Sequence, residues 1–173
     1  KEYSFIFQST NLFEDLSIID NVIIPSFNVK GEKRSEVTSR AQGYLAQLLT
    51  NVSESEYDTK FAGALSGGQK QRLAFVRALT SPHSVIFCDE PTGNLDTGNA
   101  KRLMKMLRDR IKERKSTAMI VSHDIPLALD FADRIILMTK EITNNGETYG
   151  AIKKENQFVK QVDGAWKAGE RRM

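Results

Sequence analysis

Three clusters in this chain have residue types and spacings suited to work on a phosphorylated ligand. In Leu65-Ser66-Gly67-Gly68-Gln69, Ser66 and Gln69 are spaced as a capping box, each side chain satisfying an amide left unpaired at a helix start. Glycine inside a helix costs about 1 kcal/mol relative to alanine, so the use of Gly67 and Gly68 is to leave backbone N–H groups open to an approaching group. A helix start with bare amides and a serine hydroxyl is an anion site; the same residues also read as a plain capped helix. Next, the apolar run Val85-Ile86-Phe87-Cys88 ends in Asp89 and Glu90. A buried strand that delivers two carboxylates at its C-terminal end puts them where open α/β sheets bind ligands. One carboxylate can hold Mg²⁺, and the other can orient a water for in-line attack on a phosphate. The pair also fits a helix cap reinforced by Thr92 and Asn94. The third cluster, Ile120-Val121-Ser122-His123-Asp124, sets a histidine at the end of another apolar run, at the same expected sheet edge. Alone, His123 reads first as a structural or capping histidine, and Gln8, after the run Tyr3–Phe7, carries no chemistry by itself.

The elements that must position these residues follow from periodicity. Alternation in Tyr3-Ser4-Phe5-Ile6-Phe7 predicts a strand stopping at Gln8-Ser9-Thr10-Asn11. Between Gly31 and Thr50, Val37, Ala41, Tyr44, Leu45 and Leu48 mark one face of a helix. Asn51 to Thr59 is polar and reads as a loop. A second helix starts at Ser66, and Val85–Cys88 is short and apolar enough for a strand buried on both faces. The grammar then repeats: a helix over Asn99–Lys115, a buried strand over Ala118–Val121, a short helix over Pro126–Phe131, and a strand over Ile135–Met138. Alternating strands and helices predict an α/β sheet. Asn144-Asn145-Gly146 is a hairpin-type turn, and beyond Gly150 an irregular basic tail is expected, with Trp166 a candidate anchor. Cys88 reads as packing and His83 as an exposed turn residue.

Composition narrows the class. The chain has 173 residues, 40% of them apolar, enough for one domain with a real core. No uninterrupted apolar run exceeds about five residues, against roughly 20 for a membrane-spanning helix. The start lacks the apolar segment of a secretory signal, and the single cysteine fits a reducing compartment. The net charge of +3 is carried by the segment from Lys153 onward, while the rest balances. A balanced body argues against a nucleic-acid partner.

Taken as an ordered set, these motifs resemble the ATP-binding cassette family of ATPases. The matching elements are the glutamine loop Phe5-Ile6-Phe7-Gln8, the signature Leu65-Ser66-Gly67-Gly68-Gln69-Lys70-Gln71-Arg72, the Walker B strand ending in Asp89 and Glu90, the D-loop Gly93-Asn94-Leu95-Asp96, and the switch His123. The octet Asp89–Asp96 looks most like the lipoprotein-release, macrolide-export and cell-division branch. No Gly-x-x-x-x-Gly-Lys-[Ser/Thr] phosphate loop is present in the 173 residues. Gly63 to Gly68 has the glycine spacing, but Gln69 stands where the lysine belongs and Gln71 where the Ser/Thr belongs. Only seven residues precede Gln8, so the sequence looks like the C-terminal two-thirds of a nucleotide-binding domain.

The resemblance implies an α/β fold of P-loop NTPase type, a mostly parallel sheet with an inserted helical subdomain, incomplete at the N-terminus. It divides the chain into a helical and signature part (9–80), a Walker B to switch-histidine core (81–140) and a hairpin with a basic tail (141–173). It implies ATP and Mg²⁺ as ligands, with Asp89 and Gln8 at the metal, Glu90 polarising the attacking water, and His123 at the γ-phosphate. Ser66, Gly67, Gly68 and Gln69 would serve a partner domain's ATP, and Asp96 would cross the dimer interface. Gln8 with Ser9 to Asn28 would touch a membrane permease, which places the chain at the cytoplasmic face of a membrane and makes a second nucleotide-binding domain its other partner. The strand of the missing loop is expected beside the one ending at Asp89, leaving an apolar edge, and ATP binding by these residues alone is expected to be weak. Two other readings fit the motifs: a non-catalytic module offering only the signature and dimer surface, against which Glu90 and His123 argue, and a cassette ATPase acting on DNA or ribosomes, which lacks its usual insertions here.

Overall fold

Three parallel strands, β1 (Tyr3–Ile6), β2 (Val85–Asp89) and β3 (Thr117–Val121), form a sheet in the order β1-β2-β3. The computed structural model describes residues 3–26 and 31–168, in two compact units, Lys1–His123 and Asp124–Met173. Within the first unit, the chain from β1 to β2 runs through three helices, α1 (Ile18–Ile23), α2 (Arg34–Leu48) and α3 (Gly67–Thr80), and from β2 to β3 through α4 (Thr97–Arg114). Parallel neighbours need such crossovers, because a tight turn cannot return the chain to the same end of the sheet.

The helices are set by their caps and their apolar faces. Val37, Ala41, Leu45 and Leu48 of α2 are buried as the spacing predicts, with Tyr44 of the same face half-buried, and α3 buries Leu73, Val76 and Leu79. Each buried Val or Leu among these contributes about 1.5–3 kcal/mol of apolar burial. Helix α1 was hidden in the sequence because it is short and apolar almost all round: Ser17 caps it, and Ile18, Ile19, Asn21, Val22 and Ile23 are all buried against α2 and α3. Part of the segment Ser9–Asn28, expected to be a docking surface, is therefore core. Its exposed residues are Ser9, Asn11, 13–15 and Pro25, and Gln8 just before it is exposed too, while Phe27 and Asn28 lie outside the described residues.

Several sheet expectations need correction. β2 buries Ile86 and Cys88 on one face only; on the other, Phe87 is half-buried and stacks on Phe5. β3 is not buried, since Met119 and Val121 are exposed. β2 is central, paired to β1 with Ile6 opposite Cys88 and to β3 with Cys88 opposite Ile120. No further strand fits beside it, so the strand of a phosphate loop could add only outside β1 or β3. His83 is buried rather than exposed, its Nδ1 2.9 Å from the Ser81 carbonyl. Burial holds its pKa below the ordinary histidine value. Cys88 is packing, its thiol pushed up to about 12 by desolvation.

The second unit starts with α5 (Ile125–Phe131), capped by Asp124. The strand expected over Ile135–Met138 is β4 (Arg134–Ile136). It belongs to a separate sheet, antiparallel to β7 (Gln157–Lys160), which pairs with β8 (Trp166–Ala168). The tail expected to be irregular instead carries two short strands, β7 and β8, with turns before and between them, and Lys160 lies 5.5 Å over the Trp166 ring. β5 (Thr139–Ile142) and β6 (Thr148–Ala151) form the hairpin that Asn144-Asn145-Gly146 predicts, with Gly146 at φ +83°.

Candidate active site

The geometry is densest at the C-terminal end of the parallel sheet. β2 delivers Asp89 and Glu90, and β3, one strand over, delivers Ser122 and His123. The β2–β3 ladder continues past the strand end, because the Glu90 amide donates to the Val121 carbonyl at 3.0 Å. Glu90 then takes φ 45°, an uncommon conformation for a side chain with a Cβ. That turn aims its carboxylate back at the end of β3. The His123 amide donates to Glu90 Oε1 at 3.0 Å, His123 Nδ1 sits 2.8 Å from the same oxygen, and the Ser122 hydroxyl lies 3.5 Å from Oε2. A carboxylate fixed by two or three donors keeps one geometry, which a water-orienting group needs. Glu90 is mostly buried while His123 is exposed, so the pair has a sheltered and an open partner.

The other sequence-derived residues fall into place unequally. Gln8 follows β1 two residues after Ile6, at the same end of the sheet, and its side chain makes no hydrogen bond among the described residues. Asp89 presents an exposed carboxylate that likewise makes none. Mg²⁺ takes one or two carboxylates together with waters and phosphate oxygens, and Asp89 fits that demand. No cluster of three or more His, Cys, Asp or Glu that could hold a metal occurs among the described residues. Asp96 caps α4, accepting from the Asn99 amide at 3.0 Å, which draws its pKa below the usual carboxylate value.

Ser66 and Gln69 form the reciprocal capping box that their spacing predicts: Ser66 N–H donates to Gln69 Oε1 at 2.9 Å, and Gln69 N–H to Ser66 Oγ at 3.4 Å. Around Gly67 a Cβ would meet nothing within 4 Å, so the first turn of α3 is open. No hydrogen bond joins this cap to Glu90, His123, Asp89 or Gln8 among the described residues. The capping box and the carboxylate–histidine pair are separate surfaces.

Three polar side chains frame these surfaces: Asn21 and Arg77, which no motif singled out, and Gln71, which stood out in the sequence only as part of the signature. Asn21 is fully buried and pins the loop after Gln8, accepting from Phe13 N–H and donating to the carbonyls of Phe13, Leu16 and Ser17. Arg77 donates to the carbonyls of Thr10 and Asn11 at 2.9 and 2.7 Å. Gln71 donates to the Pro91 carbonyl at 3.2 Å. A periodicity count passes over them, because their role lies in hydrogen bonds to backbone carbonyls outside their own helix turn.

Comparison with known proteins gives the family and the fold. The ABC transporter family model matches residues 1–93. The chain is 40% identical over 134 residues to the L-cystine transport system ATP-binding protein TcyN of Escherichia coli, covering 78% of this chain and 52% of that protein. It is 36% identical to a lipoprotein-releasing system ATP-binding protein LolD of Rhodopirellula baltica, covering 82% and 60%. Among solved structures, a dimeric post-hydrolysis state of an ATP-binding cassette bound to ADP and Pi superposes with a TM-score of 0.65 at 30% identity, covering 79% of this chain and 58% of that one. The chain spans about half the length of the curated relatives it matches. The fold is the P-loop NTPase-like α/β fold of nucleotide-binding cassettes. The chain belongs to the ABC transporter family, and its relatives include ATP-binding proteins of lipoprotein release and macrolide export.

Proposed function

We propose that this chain is part of an ATP-hydrolysing subunit that energises a membrane permease. The observation that carries the reading is the Glu90–His123 pair, held at 2.8 Å at the end of a parallel sheet beside Asp89. In this reading Glu90 orients and polarises the attacking water, and His123, the exposed partner, contacts the γ-phosphate. Gln8 reaches the water and the metal. Asp89 holds Mg²⁺, which when bound offsets the charge on the phosphate oxygens. The open turn of α3, with Ser66, Gly67, Gly68 and Gln69, serves ATP held by a second copy, where amides and the helix dipole meet the phosphate. Support for that trans role is the separation of the capping box from the Glu90 cluster. Asp96 links the two sites across the interface.

The exposed loop around Gln8, with Phe13 and Glu14 and the ion pair of Glu14 to Lys70 at 2.6 Å, is the surface for the permease. That makes the subunit peripheral at the cytoplasmic face; no helix among the described residues is long and apolar enough to cross a membrane. These 173 residues contain no phosphate-loop motif, and alone they bind ATP weakly, because most contacts to the β- and γ-phosphates in this fold come from that loop. The test is Mg-ATP turnover by the intact protein carrying these residues. Glu90→Gln is expected to lower kcat by about 100-fold or more with little change in KM; undiminished turnover overturns the assignment.

A further inference from the structure

Glu90 is one of three described non-glycine residues with positive φ, and its backbone is held from outside the sheet as well as within it. Its carbonyl accepts from the Gly93 amide at 3.2 Å, and the side chain of Gln71 approaches the same oxygen at 3.5 Å while donating to Pro91 O at 3.2 Å. Gln71 is 3% exposed, and its Oε1 is buried without a hydrogen-bond partner among the described residues. Leaving a buried acceptor unpaired is unfavourable, so packing alone would favour leucine or methionine here. The amide is retained for its donor, and the donor points at the turn that carries Glu90.

We propose that Gln71 is a positioning residue for Glu90, tying the signature helix to the backbone of the water-orienting carboxylate. This rests on the reading of Glu90 given above and adds to it a link between the two separate surfaces. Gln71 lies five residues after Ser66 on α3, about one and a half turns from the open N-terminus. A displacement of α3 when its first turn meets a partner's phosphate is passed to Pro91 and Glu90 through this side chain. The remaining anchors of Glu90 are the Gly93 amide within its own turn and, from β3 and its end, the Val121 carbonyl and the Ser122–His123 donors. Gln71 is thus its only hydrogen-bonded tie to α3 among the described residues. Arg77, farther along the same helix, grips a different left-handed residue, Asn11 at φ 46°, and supplies an internal control.

The experiment is hydrogen exchange and steady-state ATPase kinetics on the intact protein, comparing wild type, Gln71→Met and Arg77→Met. Gln71→Met is expected to speed exchange of the Gly93 amide about tenfold and to lower kcat about tenfold, with KM for ATP within about twofold and α4 amides unchanged. Arg77→Met is expected to leave Gly93 exchange as in wild type. If Gln71→Met does not fold, Gln71→Asn, one methylene shorter, is read in the same way. Unchanged Gly93 exchange in the Gln71 variant overturns the proposal, and so does equal acceleration in both variants, which marks general loosening. If wild-type turnover survives Glu90→Gln, the catalytic reading has failed; exchange at Gly93 then decides by itself whether Gln71 holds the turn.

Discussion

On one face of the parallel sheet Ile6, Ile86 and Cys88 are buried; on the other, Tyr3, Phe5, Met119 and Val121 stay exposed, Met119 and Val121 at 59% each. Composition does not distinguish the faces, since both are apolar and β2 reads as a strand hidden on both sides. The structure separates them by what lies across: α3 packs against β1, and Ser4 donates to the Ala78 carbonyl on that side. Apolar content therefore reports what a strand is suited to touch, and only packing reports what it does touch.

The largest expected effect is on the covered face. Ile86→Ala, at a fully buried position, is expected to cost about 2–5 kcal/mol of unfolding free energy, whereas Met119→Thr, across the sheet, changes it by no more than about 0.5 kcal/mol. Urea unfolding measures both, and equal losses would erase the distinction between the faces. A second contrast is chemical. Cys88 should resist thiol reagents in the native state and react only on unfolding, since it is buried with its pKa near 12; rapid native labelling would mean the covered face opens.

A smaller effect comes from His83, also buried in the first unit. Desolvation, with Arg110 and Arg114 nearby, lowers its pKa in the folded state, against the pull of the Ser81 carbonyl. The unfolded chain takes up a proton near the ordinary value of about 6.5 and the native state resists it. The stability linked to neutral His83 is complete above that value and is lost as pH falls below it. Unfolding titrations should show stability falling on acidification below about pH 6.5, with a shallower slope in His83→Asn; identical slopes would contradict the assignment. Smallest is Lys160→Met in the second unit, where loss of the contact over Trp166 is worth about 0.5–1 kcal/mol, with a shift in the emission of the chain's one tryptophan.

Much of the candidate site was legible because short polar motifs end apolar runs. The glutamine after β1, the carboxylates after β2 and the histidine after β3 mark strand ends directly, and the Ser66–Gln69 spacing encodes its own hydrogen bonds. The closeness of Glu90 and His123 followed only once β2 and β3 were known to be neighbours, which their order in the chain suggests and pairing decides. What stayed hidden depends on long-range contacts. Helix α1 lacks an amphipathic signature because both its sides are buried. The sheet β4-β7-β8 comes from short strands whose half-buried residues alternate weakly. Gln71 gains its meaning from Pro91, twenty residues away, and His83 its burial from residues beyond its own turn.

The central claim is that hydrolysis occurs at a site shared between two copies, with Glu90 from one and Ser66 from the other. The direct measurement is complementation in the intact protein: Glu90→Gln and Ser66→Arg are assayed separately and then as an equimolar mixture. Each alone is expected to be inactive, and the mixture to regain about a quarter of wild-type turnover, because half of randomly paired dimers are mixed and each holds one whole site of two. A mixture as inactive as its components, with mixed dimers shown to form, would contradict the shared site.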